Sequence, residues 1–508
     1  MVSNTIREIL VNTQEKFGEC DAVRWKKNRK EVESRTYSDL KQDSESFSCS
    51  LSCLGLIGSH IALIGATSYN WIVAYLGIVD SGSVAVPLDA SLPAEDLWEL
   101  IDRSDAKALV VDGTRVDVAS LAKEKCPQLR YVIRLDEEEP KDDALSFSHL
   151  LKENSGIYEG SPKADDLCTI LFTSGTTGKS KGVMLTHRNL ANNATCLDMK
   201  IPFRTVLLTV LPIHHAYCLS NDILKGISLG AVICINDSLM HMAKNILFFE
   251  PDIILMVPQM IETIAKKLED AKGAPVDAVR KSVFGKNLKT IISGGAYLNP
   301  EYIDLFASYG ITIQQGYGMT ECSPVISTNV SWDIRKDTVG QLLPNCEAKS
   351  VDGELWVKGS SVMLGYYKMP QETAETLEDG WLKTGDLGYV DEDHFVHLTG
   401  RKKNLIITKN GENVSPEEIE NALSASRLVK EILVQEKDGF IEAEIFPDLT
   451  YAEQQGIPDI HSVLQQTIDE YNQHTAPYKR VFRLTVRETE FEKTASGKIK
   501  RQQSQTHL

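Results

Sequence analysis

Residues 173–182 read TSGTTGKSKG, so glycines, hydroxyl residues and two lysines are concentrated in one short segment. The apolar run at 169–172 is typical of a strand, which places this segment at a strand end. Glycines let the backbone approach a ligand closely, while hydroxyls add donors and lysines add charge. A Walker A loop is excluded, because two residues rather than four separate Gly175 from Gly178. We predict a polyphosphate cradle, against the alternative of a flexible surface turn.

The length and composition of the chain limit its domain number, its partners and its compartment. A chain of 508 residues exceeds one compact core, so two or more domains are expected. The net charge of −17 argues against nucleic acid or an anionic membrane as a main partner. The apolar stretches fall short of spanning length, so we expect no transmembrane segment. Ten scattered cysteines without zinc spacing favour a reducing compartment, and we expect a cytoplasmic protein.

The elements that must position the loop alternate along the chain. A strand at 60–64, a buried helix at 71–79 and a strand at 83–87 form a βαβ pattern, which indicates a parallel sheet. A helix is predicted after residue 36, with Ser38 as its N-cap. Further strands are predicted at 108–111, 131–135, 206–211, 231–235, 252–257 and 289–293. The strands at 108–111 and 131–135 repeat the first pattern, and those from 206 to 293 indicate a second α/β layer system.

The pattern of residue types changes near residue 335. From there to about 400, short strands and frequent turn residues indicate a small β-barrel or sheet. Residues 404–508 read as a compact α+β unit, with a strand at 404–407 and a helix that Ser415 caps. The fold class is therefore α/β, with a large N-terminal domain of two αβα subdomains plus a small β-barrel and a small α+β C-terminal domain. We place the domains at 1–400 and 401–508.

Eight short motifs follow one another between residues 173 and 498. They are TSGTTGKSKGV (173–183), LPIHH (211–215), SGGA (293–296), GYGMTE (316–321), TGD (384–386), GR (400–401), GEN (411–413) and KTASGK (493–498). Together they resemble the acyl-adenylate-forming superfamily of acyl- and aryl-CoA synthetases, luciferases and peptide-synthetase adenylation domains. The resemblance implies that a carboxylate attacks the α-phosphorus of Mg·ATP to give acyl-AMP and pyrophosphate. A thiol, usually that of coenzyme A, then releases AMP, after rotation of a mobile C-terminal domain.

The resemblance also assigns residues to the nucleotide. The ATP site would consist of Thr173, Ser174, Gly175, Thr176, Thr177, Gly178, Lys181, Gly295, Ala296, Gln315, Gly316, Tyr317, Gly318, Thr320, Asp386, Arg401 and Lys498. Tyr317 would stack on adenine, and Asp386 would accept hydrogen bonds from the ribose hydroxyls. Thr173 and Glu321 would bind Mg²⁺, which prefers hard oxygen ligands.

The catalytic lysine of the family corresponds to Lys498. A flexible ammonium there would offset the negative charge that builds where two anions meet. A solvated lysine near the end of the chain is the alternative, which the surrounding TASGK context disfavours. One departure is Glu492, since the family often has proline at that position.

The small domain carries two further assignments from the resemblance. Lys403 matches the hinge, although it is also one of three consecutive basic residues that a solvated linker would contain. Gly411, Glu412 and Asn413 match a loop that binds coenzyme A during thioester formation.

His215 bears on the class of acid and is our second catalytic candidate. Amino-acid-activating members usually carry an Asp near this position, whereas this segment reads LPIHHAY. A histidine is typical of enzymes that use uncharged acyl or aryl acids. A core histidine is an equally good interpretation, and His214 is the runner-up for the same role.

We therefore predict an ATP-dependent ligase that joins a carboxylic acid, of medium or long acyl chain, to coenzyme A. The alternatives are an aryl-CoA ligase, a synthetase that loads an acyl carrier protein, and a non-catalytic nucleotide-binding regulator on the same fold. Mg²⁺, ATP and coenzyme A are the expected cofactors, and monomer and homodimer both stay open.

Overall fold

The computed structural model describes residues 2–28, 30–139, 143–173, 179–408, 412–493 and 499–501. All ten cysteines lie in these ranges and are free thiols. Within the same ranges, every helix is too short or too polar to cross a bilayer.

The α-helices of the described residues have six residues or more, except α8, which has four. They are α1 (Ile6–Phe17), α2 (Tyr37–Cys53), α3 (Tyr69–Asp80), α4 (Ala94–Arg103), α5 (Val116–Lys125), α6 (Phe147–Glu153), α7 (His187–Thr195), α8 (Lys225–Ser228), α9 (Met242–Phe249), α10 (Pro258–Asp270), α11 (Val276–Phe284), α12 (Pro300–Ser308), α13 (Pro370–Thr376), α14 (Pro416–Leu423), α15 (Leu449–Gln454) and α16 (Ile460–His474).

The strands are mostly short, as in an α/β protein whose sheets are covered by helices. They are β1 (Asp21–Lys26), β2 (Val32–Thr36), β3 (His60–Ile64), β4 (Val84–Leu88), β5 (Ala108–Val111), β6 (Tyr131–Arg134), β7 (Leu145–Ser146), β8 (Leu167–Thr173), β9 (Lys181–Thr186), β10 (Val206–Thr209), β11 (Val232–Ile235), β12 (Ile253–Met256), β13 (Thr290–Ser293), β14 (Thr312–Gly318), β15 (Val325–Thr328), β16 (Gln341–Leu342), β17 (Cys346–Val351), β18 (Glu354–Gly359), β19 (Gly365–Tyr366), β20 (Leu377–Glu378), β21 (Trp381–Val390), β22 (Val396–Arg401), β23 (Ile406–Ile407), β24 (Asn413–Val414), β25 (Val429–Lys437), β26 (Phe440–Pro447) and β27 (Arg483–Val486).

Two large sheets carry most of these strands. One has the order β19-β9-β8-β4-β3-β5-β6-β7, in which β4, β3 and β5 are parallel and β9 is antiparallel to both β8 and β19. The other has the order β16-β15-β14-β13-β12-β10-β11-β1-β2, with a parallel centre from β14 to β1. Strands β3, β4 and β5 are apolar almost throughout, because helices cover both faces of a parallel sheet. Two αβα layer systems were predicted, and the sheets confirm them.

Smaller sheets follow. The strands β17, β18, β21 and β20 form one in that order, with β22 beside β21. The others are the pair β23-β24 and the sheet β25-β26-β27. The α/β fold class with a smaller C-terminal α+β part is therefore confirmed.

The chain divides into two compact units, which we call the large unit and the small unit. The large unit comprises Met1–Lys349, Trp356–Lys383 and Glu392–Val396, and the small unit comprises Ser350–Leu355, Thr384–Asp391 and His397–Leu508. The small unit has its own core, which includes Ile419, Val434 and Leu464. The domain boundary after residue 400 stays a prediction.

Three of the differences between the local predictions and the structure have a clear physical cause. The N-cap of α2 is Thr36 rather than Ser38, because Thr36 and Asp39 form a reciprocal capping box. The strand predicted at 404–407 shrinks to Ile406–Ile407, since residues 402–404 form a 3₁₀ turn. Strand β9 was not predicted, because the glycine-rich segment before it obscured the start of an antiparallel partner for β8.

A buried histidine gives the large unit an acid-sensitive contact. His187, 1% exposed, accepts a hydrogen bond at Nδ1 from the Ile6 N–H at 3.4 Å. Burial lowers the pKa of His187 to about 4. The imidazole of His187 therefore binds a proton more tightly in the unfolded chain than in the folded one. The contribution of neutral His187 to the free energy of unfolding is complete above about pH 6.5 and is lost as the pH falls towards 4.

We expect His187→Asn, which retains an acceptor but does not titrate, to lessen the loss of unfolding free energy between pH 7 and pH 4.5. The difference from the wild type should be at most about 3 kcal/mol. Urea unfolding at both pH values measures it, and His461→Asn, at an exposed position, is the control. An equal loss in His187→Asn and the wild type would contradict this account.

Candidate active site

The start of the predicted phosphate loop is held by an antiparallel ladder. Thr173 ends β8 and pairs with Lys181, the first residue of β9. The Thr173 hydroxyl lies 3.5 Å from the carbonyl of Lys181, to which it donates. The Lys181 ammonium lies 4.7 Å from the ring centroid of Tyr366. The ladder thus fixes where the loop leaves and re-enters the sheet.

Glu321 lies in a 3₁₀ turn, Thr320–Cys322, directly after β14. Its carboxylate is mostly buried and its Oε1 accepts a hydrogen bond from the Tyr366 hydroxyl at 2.8 Å. Burial raises the pKa of Tyr366, and the neighbouring Glu321 raises it further, so this hydroxyl keeps its proton and is the donor. Strand β9 also packs against this turn. Lys181 and Glu321 therefore meet the same tyrosine.

Glycines shape the ends of two neighbouring strands. Gly295, after β13, has a φ of +86°, which favours glycine, and it is exposed together with Ala296. A Cβ on Gly318 would lie 2.0 Å from the carbonyl oxygen of Pro324, so only glycine fits there. Gly316 pairs with Thr328 across the ladder.

Two of the buried side chains on β14 belong to the predicted nucleotide site. The amide of Gln315 donates to the carbonyl oxygens of Lys336 at 2.9 Å and Thr338 at 3.2 Å, which ties the loop after β15 to the sheet. Tyr317, predicted to stack on adenine, is 9% exposed. Gln315 thus supports the site through the backbone it holds.

His214 and His215 lie before a π-helical turn, Cys218–Leu224, a local feature that is frequent at functional sites. Their rings are 4.2 Å apart, and His214 Nε2 lies 3.6 Å from Asp89 Oδ2. Burial lowers the pKa of both histidines, so both imidazoles are neutral at pH 7. His215 is the more exposed of the two, and its place beside a substrate stays a prediction.

In the small unit, Asp386 and Arg401 are in direct contact. Arg401 Nε lies 2.7 Å from Asp386 Oδ1, and Asp386 is only 4% exposed. The buried carboxylate of Glu354 accepts from the Gly385 N–H at 3.0 Å and from Lys402 Nζ at 2.8 Å. Glu354 therefore fixes the backbone that presents Asp386.

The predicted hinge and coenzyme A residues also belong to the small unit. Lys403 is the middle residue of the 3₁₀ turn Lys402–Asn404, and burial and the neighbouring Arg401 lower its pKa. The Glu412 N–H donates to the Thr408 hydroxyl at 3.1 Å, and Asn413 begins β24. Glu412 and Asn413 are both exposed.

Some predicted residues lie outside the described ranges. They are Ser174, Gly175, Thr176, Thr177, Gly178, Gly411 and Lys498. Among the described residues, Lys181 and Glu321 of the large unit both contact Tyr366, Thr173 pairs with Lys181, and in the small unit Asp386 contacts Arg401.

The donor set fits Mg²⁺. Within the described ranges, three or more His, Cys, Asp or Glu side chains nowhere gather as a metal cage. Mg²⁺ typically takes only one or two carboxylates and completes its shell with phosphate oxygens and water. A buried Glu321 carboxylate and a Thr173 hydroxyl are hard oxygen donors of this kind, so they would hold the ion together with a nucleotide.

Sequence reasoning missed three residues around these groups. Tyr366 gave no signal, because it lies 45 positions from Glu321 in a turn-rich segment. Glu354 looked like an ordinary strand residue. Asp89 could have been found, since it is a polar residue just past the strand predicted at 83–87 and directly after β4, where parallel sheets bind ligands.

Known protein families match this chain along most of its length. The AMP-binding enzyme family matches residues 11–367, and the AMP-binding enzyme C-terminal domain matches residues 403–508. A long-chain-fatty-acid–CoA ligase of Salmonella typhimurium is 30% identical over 456 residues, which cover 79% of this chain and 78% of that protein. A 4-coumarate–CoA ligase of Vanilla planifolia is 29% identical over 507 residues, or 93% and 88% of the two chains.

A solved structure shows the same fold. The crystal structure of the anthranilate CoA ligase AuaEII with anthranoyl-AMP has a TM-score of 0.83 and 21% sequence identity, and covers 97% of this chain and 95% of that chain. The family match over most of the chain confirms the resemblance drawn from the eight motifs. The chain therefore belongs to the AMP-binding enzyme family.

Proposed function

We propose that this chain is an AMP-forming acid–CoA ligase whose acid is a fatty acid of medium or long chain. It activates the acid as acyl-AMP and transfers the acyl group to coenzyme A. The observation that carries the proposal is the convergence of Lys181 and Glu321 on Tyr366, since a phosphate-binding cation and a metal-binding carboxylate then serve one nucleotide. The fatty-acid part draws on the likeness to the ligase of Salmonella typhimurium.

Each group has a defined task in this reaction. Lys181 binds the phosphates that leave as pyrophosphate, and Thr173 and Glu321 hold Mg²⁺. When bound, Mg²⁺ neutralises charge on the phosphate oxygens. A neutral His215 can orient the acid carboxylate by a hydrogen bond without adding charge. In the small unit, Asp386 accepts from the ribose hydroxyls.

An activity screen tests the proposal. The full chain is mixed with Mg·ATP, coenzyme A and single carboxylic acids, comprising saturated fatty acids of graded length, cinnamic-type acids and benzoic-type acids. Pyrophosphate release reports adenylation, and mass spectrometry reports the thioester. We expect the highest kcat/KM with a fatty acid. ATP binding without pyrophosphate release for any acid would instead favour the non-catalytic regulator.

An aryl acid is the second candidate, which one feature of the large unit favours. The Tyr217 hydroxyl donates to the carbonyl of Ile292 at 3.1 Å, and a Cβ on Gly294 would meet the Tyr217 ring at 3.2 Å. A fixed aromatic ring beside the SGGA segment suits a short planar acid, which can stack on it. The likeness to the 4-coumarate–CoA ligase extends over 93% of the chain. Highest kcat/KM with a cinnamic-type or benzoic-type acid would select this candidate.

A further inference from the structure

Tyr366 has no assigned role, yet it contacts both halves of the proposed phosphate site. It is 5% exposed, its hydroxyl donates to Glu321 Oε1 at 2.8 Å, and the Lys181 ammonium lies over its ring at 4.7 Å. One side chain thereby contacts the metal-binding carboxylate and the phosphate-binding cation.

The backbone around Tyr366 makes these contacts rigid. In the β19–β9 ladder, Tyr366 pairs with Val183, and the Tyr367 N–H donates to the carbonyl of Gly182 at 2.8 Å. On the other side, the Met363 N–H donates to the carbonyl of Glu321 at 2.9 Å. The segment 363–367 therefore ties the strand after the phosphate loop to the turn that carries Glu321.

We propose that Tyr366 is a positioning residue for Glu321, which holds one carboxylate oxygen by a hydrogen bond so that the other faces the metal of bound Mg·ATP. The proposal rests on the function proposed above for this site. A carboxylate on a short turn can rotate about its own bonds, and a buried donor removes that freedom. Groups that orient a metal ligand typically contribute 10- to 100-fold to metal affinity or activity.

The test uses Tyr366→Phe, which removes the hydroxyl group and keeps the aromatic ring. The ring also lines a surface cavity of about 420 Å³ with Met184 and Leu377, and phenylalanine retains that packing. Calorimetry on the full chain gives the affinity for ATP in EDTA and in excess MgCl₂. We expect the Mg²⁺-dependent gain in ATP affinity to fall by about tenfold in Tyr366→Phe.

The adjacent tyrosine supplies a matched control. The Tyr367 hydroxyl donates to Asp105 Oδ2 at 2.5 Å, so Tyr367→Phe also breaks a tyrosine–carboxylate hydrogen bond. We expect its Mg²⁺-dependent gain to equal that of the wild type. A gain in Tyr366→Phe within twofold of the wild type, or an equal fall in Tyr367→Phe, would overturn the proposal.

A second variant shows whether the effect passes through Glu321. Glu321→Gln should itself reduce the gain, and adding Tyr366→Phe should then change it little, because coupled residues are not additive. A further tenfold fall in the double variant would refute the positioning role. These affinities need no turnover, so a wild type that binds Mg·ATP but adenylates none of the acids would count only against the proposed function.

Discussion

Lys498→Ala should lower the rate of acyl-AMP formation by at least about 100-fold, the size of effect seen when one stabilising donor is removed from a transition state. Negative charge builds where the carboxylate meets the α-phosphate, and the ammonium is the group proposed to offset it there. Thioester formation from supplied acyl-AMP should survive, because the phosphate chemistry is then complete. Pyrophosphate release measures the first step, and thioester formation from synthetic acyl-AMP measures the second.

A neighbouring lysine provides a control that shows whether the effect of Lys498→Ala comes only from the loss of a positive charge. Lys500 Nζ lies 3.6 Å from Glu492, and Lys493 Nζ lies 2.5 Å from the buried Glu431, so both already have carboxylate partners. Lys500→Ala is therefore the matched control, and both of its half-reactions should proceed at nearly the wild-type rate. If Lys498→Ala slows both half-reactions equally, the assignment of this lysine to adenylation is wrong.

Elements of the fold were predictable where the pattern is local. The strands near 60 and 84 and the helix between them follow from apolar runs and a βαβ order, which depend only on neighbouring residues. The start of α14 was predictable for the same reason, since Ser415 caps it and Pro416 occupies its first turn. The cap of α2 was misplaced by two residues, because Thr36 and Ser38 are both good caps and only the reciprocal bond with Asp39 decides between them.

The site was predictable in its residues but not in their contacts. Family motifs supplied Glu321, Asp386 and Arg401, whereas the side chains that hold them lie far away in sequence. Tyr366 reaches Glu321 across 45 positions, and Lys402 reaches Glu354 across 48. Such pairs depend on sheet order and register, which a one-dimensional pattern leaves open. Residues that orient a reacting group therefore emerge only from the structure.

A substitution at the predicted hinge should slow the second half-reaction, thioester formation, more than the first. Lys403→Pro should slow thioester formation by about tenfold, or 1.4 kcal/mol in barrier, while adenylation changes less. Proline fixes φ at its own position and restricts the residue before it, Lys402, whose ammonium is already held by Glu354 at 2.8 Å. The backbone there would lose the freedom that a rotating small domain requires.

Lys403→Ala is the control, because it removes the same charge but leaves φ and ψ free, and its thioester rate should remain near that of the wild type. Single-turnover assays of both steps measure the effect, and a Lys403→Pro enzyme that forms thioester at the wild-type rate would show that this position does not serve as the hinge.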